Sequence, residues 1–175
     1  MQIRGISFRR WLVSLCGVLS VGLVLGLSAA GAAGTPSCKE GAEAAGCKLP
    51  DGARFYKSLG DSQAITVQIG GKGVSVTLFA VPIKCTKYIP LQGDESYVEI
   101  GLSGSQKPKV GKSYTLKKSE SDPGEEGQGS SASTTEVTLN FKSAKQVLVS
   151  IHQVSTIEGK AGCDGSGSYT VKRQI

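Results

Sequence analysis

Residues 64–81 read AITVQIGGKGVSVTLFAV. Ile65, Val67 and Ile69 alternate with Thr66 and Gln68, and Val74, Val76 and Leu78 alternate with Ser75 and Thr77. A period of two places each apolar set on one face of an extended chain, so both arms are half-buried strands. Gly70-Gly71-Lys72-Gly73 between them tolerates positive φ and makes the pair a β-hairpin. Pro82 then ends the second strand or marks an edge, because it has no N–H for a ladder.

The same alternation extends along the chain. Tyr97–Leu102 and Lys112–Leu116 are shorter candidates, separated by turn-forming Gly, Ser and Pro. Thr135–Phe141 and Ala144–Val154 form a further hairpin, with Lys142-Ser143 as its tight connection. Val147, Val149 and Ile151 share one face of it; Leu148, Ser150, His152 and Val154 share the other. Ser155–Lys160 continues that strand through a bend, and Ser168–Arg173 closes the chain. No segment has a convincing amphipathic-helix period. The expected fold is all-β: one antiparallel β-sandwich or open barrel of about seven to nine strands.

The N-terminal block differs from the rest. Arg4, Arg9 and Arg10 precede Trp11–Leu27, an uncharged apolar run, and Ser28-Ala29-Ala30-Gly31-Ala32-Ala33-Gly34 comes next. This is the order of an export signal, cleaved after Ala32 or at the neighbouring Ala30 or Ala33. The alternative is an uncleaved anchor, since residues 11–33 are long enough to cross a bilayer. Apolar residues make up about a third of residues 34–175, and neither Trp nor Met occurs among them. The expected organisation is a signal peptide over 1–32, an N-terminal segment over 33–60 with a short disulfide loop, and a β-sandwich domain over 61–175. Without the three arginines the net charge falls from +6 to +3, 17 basic against 14 acidic side chains. Nothing in that balance calls for nucleic acid. The membrane is met only through the signal segment during export, and the destination is periplasmic or extracellular.

Four cysteines lie beyond the block: Cys38, Cys47, Cys85 and Cys163. An even count in an exported chain reads as two disulfides. Spacings of 9, 38 and 78 with a single histidine do not suit zinc. Three connectivities are open, and Cys38–Cys47 with Cys85–Cys163 is the expected one. The first closes a short loop with room for one helical turn; the second clamps distant segments, contributing about 4 kcal/mol by loop entropy.

Chemistry-bearing residues are sparse. Ser119–Thr134 (SESDPGEEGQGSSAST) is polar and acidic and reads as a mobile solvated loop. Its carboxylates match no calcium cage. Lys107, Lys109, Lys112, Lys117 and Lys118 form a basic run, either a solvated edge or a contact for an anionic surface or polysaccharide. His152 is the sole imidazole and lies mid-strand, opposite the aliphatic face. A serine or cysteine nucleophile needs a base beside it, and no G-x-S-x-G turn, phosphate loop or dinucleotide fingerprint is present. Gly162-Cys163-Asp164-Gly165-Ser166-Gly167 reads as a disulfide anchor plus turn. Asp94, Glu95, Glu99 and Glu136 are the carboxylates from which a glycosidase-type pair would have to assemble.

No catalytic residue, metal site or cofactor is assigned. The expected function is an exported, non-enzymatic β-domain, a binding or structural module for a protein, glycan or surface ligand. The alternatives are a protease or enzyme inhibitor presenting Lys84–Pro90 or Ser119–Thr134, and a small hydrolase using carboxylates or His152.

Overall fold

The computed structural model describes residues 37–38, 45–88, 94–124 and 129–175. The export signal, its cleavage position and the helical turn expected after Cys38 lie outside these residues. The described chain is all-β. Eight strands run β1 Arg54–Gly60, β2 Gln63–Gly70, β3 Gly73–Tyr88, β4 Glu95–Gly104, β5 Ser113–Asp122, β6 Ser131–Ser143, β7 Gln146–Ile157 and β8 Lys160–Arg173. They form one antiparallel sheet in the order β4-β3-β2-β1-β8-β7-β6-β5, with an additional β3–β8 pairing.

That additional pairing shapes the sheet. Along one edge, β3 pairs first with β2, Val74–Phe79 against Ile69–Ala64. Farther on, Lys84–Tyr88 pairs with Ser166–Cys163 of β8. The change of partner comes after a bulge between Leu78 and Val81, where Ala80 takes φ +47°. β8 makes the complementary change, its Lys172 and Arg173 pairing with Tyr56 and Phe55 of β1. The β1–β2 hairpin is therefore a wedge in the fork where β3 and β8 part.

Alternating aliphatic residues line one face and form a single core, including Ile65, Val67, Val76, Leu78, Val98, Val137, Leu139, Val147, Val149 and Val171. Phe55 and Phe141 meet there edge to face, with centroids 5.8 Å apart. Their strands stand three steps apart in the sheet, roughly 14 Å if it were flat. The sheet is curled, and burial of these faces drives the curl. The N-terminal segment closes one end. Val110 N–H donates to the Cys47 carbonyl and Gly46 N–H to the Val110 carbonyl, which seats buried Cys47 and Leu49.

Several boundaries differ from the sequence reading. β3 runs through Pro82 because the proline's nitrogen faces the fork, on the same side as its carbonyl, where no ladder partner is needed. Ser119–Thr134 is not one loop: Ser119–Asp122 pairs with Thr134–Ser131, extending the β5–β6 hairpin. Polar composition concealed these strands, since their side chains are largely exposed on both faces. The β6–β7 turn is Ala144-Lys145, after a bulge at Phe141/Ser143, and not Lys142-Ser143. β7 ends at Ile157, and a turn at Glu158-Gly159 starts β8. Gly162–Gly167 therefore lies within β8 and is not a turn. β1 falls inside the segment assigned to 33–60, so the sheet begins at Arg54.

Candidate functional site: a hydroxyl-lined cleft

The core does not fill the curled sheet to its end. On β6 the inward positions run Phe141, Leu139, Val137 and Thr135, and then Ser133 and Ser131. On β7 they run Val147, Val149 and Ile151, then Gln153 and Ser155. On β4, Leu102, Ile100 and Val98 give way to Ser96. Three strands thus exchange aliphatic for polar side chains at the same end. The result is a cleft of about 580 Å³ bounded by β4, β6 and β7.

Its floor is covalent. Cys85 and Cys163 are bonded across the paired stretch of β3 and β8, with Cα atoms 5.4 Å apart. Cys38 and Cys47 are bonded as well, Cα atoms 5.0 Å apart. Gly165 beside the floor is required by close approach: a Cβ there would lie 2.9 Å from the Lys84 carbonyl and 2.9 Å from Cys163 Sγ. The polar wall is partly bound. Ser155 Oγ accepts from Cys163 N–H at 2.9 Å, and Gln153 Nε2 donates to Thr135 Oγ1 at 3.3 Å. Ser131, Ser133 and Ser96 line the opening.

The outer face carries a different arrangement. Register places Lys117, Glu136, His152, Ser166, Lys84 and Glu95 side by side across β5, β6, β7, β8, β3 and β4. His152 Nε2 lies 3.1 Å from Asp164 Oδ1, an exposed contact. His152 and the cleft serines occupy opposite faces of the sheet, so the imidazole cannot serve those hydroxyls as a base.

The lysine run does not converge. Lys107 pairs with Asp51 at 3.3 Å and Lys118 with Glu120 at 2.6 Å. Lys117 and Lys118 point to opposite faces of β5, and Lys109 is half-buried beside the N-terminal segment. The carboxylates are also dispersed. Glu95 and Glu99 are four residues apart on one strand, roughly 13 Å, and Glu136 lies on β6, four strands from the β4 carboxylates in the paired order. A glycosidase pair needs about 5–9.5 Å. Of the two loops considered for an inhibitor, Lys84–Pro90 is strand as far as Tyr88, with 89–90 outside the described residues, and Ser119–Thr134 is paired hairpin at Ser119–Asp122 and Ser131–Thr134.

Sequence reasoning missed Ser96, Ser131, Ser133 and Ser155. A signal was present: each continues the inward register of an apolar alternation past its last aliphatic residue. No protein-family model, no curated protein and no solved structure matches the chain.

Proposed function

We propose that the chain is an exported, non-enzymatic β-domain, a binding module of the cell envelope or extracellular space, on a sandwich or open-barrel scaffold. The observation that carries this is the cleft: a preformed concavity whose lining brings together the side chains of Ser96, Ser131, Ser133, Ser155 and Thr156 over a disulfide floor, beside Tyr97, Ala132 and Ile157. Hydrogen-bonding groups on a rigid frame recognise a polar ligand without a large ordering cost. The two disulfides point to an oxidising, exported environment, in keeping with the N-terminal export signal.

Two measurements test the reading. Intact mass of exported material is expected to correspond to a chain beginning near Ala33, lacking Trp11 and free thiols. Immobilised oxidised protein is expected to retain envelope or secreted material, with retention competed by free protein. Retention unaffected by competitor, or full-length reduced chain in the cytoplasm, would contradict the proposal.

A further inference from the structure

β4 is one end of the sheet order and pairs only with β3 among the described strands. Which of its backbone groups are free is fixed by Pro82, which stands opposite Tyr97. The Pro82 carbonyl accepts from Tyr169, in β8, so it points away from β4. Residues opposite one another in an antiparallel ladder either exchange both hydrogen bonds or neither. The Pro82–Tyr97 pair exchanges none, and the N–H and C=O of Tyr97 face the open edge. Glu95, two residues away, has the same orientation. Among the described residues these groups have no strand partner, and they border the cleft, whose lining includes Glu95, Ser96 and Tyr97.

An exposed edge invites another strand, and proteins blunt such edges with lysine, proline or bulges. The other edge, β5, carries Lys117 and Lys118. β4 carries none of these along Glu95–Gly104. It presents Tyr97, 56% exposed, between exposed Glu95 and Glu99. Among the described residues neither carboxylate is in an ion pair.

We infer that the β4 edge docks an extended peptide by strand addition, the peptide carrying basic side chains four residues apart around a small apolar one. Backbone hydrogen bonds to Tyr97 and Glu95 supply the ladder. The basic residues face Glu95 and Glu99, and the alternate residues face the cleft hydroxyls. This rests on the binding-module reading and names its partner class.

The probe is the peptide Thr-Lys-Thr-Val-Thr-Lys-Thr, which reads alike in both directions, with Thr-Glu-Thr-Val-Thr-Glu-Thr as its control. Titrated into isotopically labelled chain expressed for export and purified oxidised, the basic peptide is expected to shift the amides of Glu95, Tyr97 and Glu99 and slow their hydrogen exchange. Tyr97→Pro removes the edge N–H together with the exposed ring, and is expected to weaken binding at least tenfold relative to Tyr97→Ala, which removes the ring alone, both at an unchanged melting midpoint. Should the proline variant fail to fold, Glu95→Lys with Glu99→Lys decides: two exposed positions, with peptide preference expected to reverse. Equal binding of both peptides, shifts confined to β5, or a double variant that keeps the original preference would overturn the inference. No binding to either peptide, with competed retention of envelope material intact, would overturn the docking mode and leave the module reading standing; loss of both would overturn both.

Discussion

The phenolic hydroxyl of Tyr169 donates a hydrogen bond to the carbonyl of Pro82, at the fork where β3 leaves β2 for β8. Pro82 falls between the last β3–β2 pair, at Phe79, and the first β3–β8 pair, at Lys84, and the tyrosine bonds its carbonyl in that gap. Lys57 Nζ lies 5.7 Å from the centre of the same ring. Tyr169→Phe is expected to leave that carbonyl unpaired and to cost about 1–2 kcal/mol in urea unfolding. A cost near zero would mean that water replaces the hydroxyl.

The same residue gives a pH signature. Desolvation by burial raises the Tyr169 phenol above its usual value near 10. The folded state thus holds this proton more tightly than the unfolded chain. Its contribution is fully present below the unfolded pKa and is lost as pH rises through the folded one. Stability measured from about pH 9 upward is expected to fall more steeply in the native chain than in Tyr169→Phe. Parallel curves would contradict this.

Val149 and His152 test the register of β7. Val149 is 0% exposed and paired with Leu139 and Tyr169 on the core face. Val149→Asp is expected to cost roughly 3–5 kcal/mol or to abolish folding, through an unpaired carboxylate in the core. His152→Ala removes one exposed contact to Asp164 and is expected to cost less than about 1 kcal/mol. Comparable losses by thermal denaturation would contradict the register.

Much of this register was legible in the sequence, and the failures have distinct physical causes. Alternation identified residues 64–69, 74–81 and 135–154 as strand-rich because one face of each meets the core. It failed at Ser119–Asp122 and Ser131–Thr134, where exposed side chains hide the pairing. It failed again at Gly162–Gly167, where glycines permit close approach of β3 within a strand. The cleft was illegible for a third reason: it is made where three strands, distant in sequence, change together from aliphatic to hydroxyl side chains.

Gly73 separates conformational need from turn composition. It takes φ +136°, and a Cβ there would lie 2.0 Å from the Gly104 carbonyl oxygen. Gly73→Ala is expected to cost roughly 2–4 kcal/mol. At Gly71 the nearest atom, Asp51 Oδ2, is 4.0 Å away. Gly71→Ala is expected to stay within about 1 kcal/mol. Equal melting midpoints for the two variants would contradict the assignment.

The two disulfides are expected to contribute unequally. Cys85–Cys163 spans 78 residues and Cys38–Cys47 spans 9. Loop entropy assigns about 4 kcal/mol to the first and about 2–3 to the second. Paired Cys→Ala variants should fall in that order in denaturant midpoints. The reverse order would show that the N-terminal bridge secures more of the fold than its loop length implies.

Entry of ligand into the hydroxyl-lined cleft is the central claim. Ser133→Trp places a large ring on its inner wall, whereas Thr138→Trp places the same ring on the outer face, where Thr138 meets Thr115. The direct measurement is retention of envelope material by the two variants beside the native chain, each confirmed folded by its melting midpoint. Retention is expected to be lost in Ser133→Trp and kept in Thr138→Trp. Retention kept in Ser133→Trp and lost in Thr138→Trp would place the binding surface on the outer face and contradict the account.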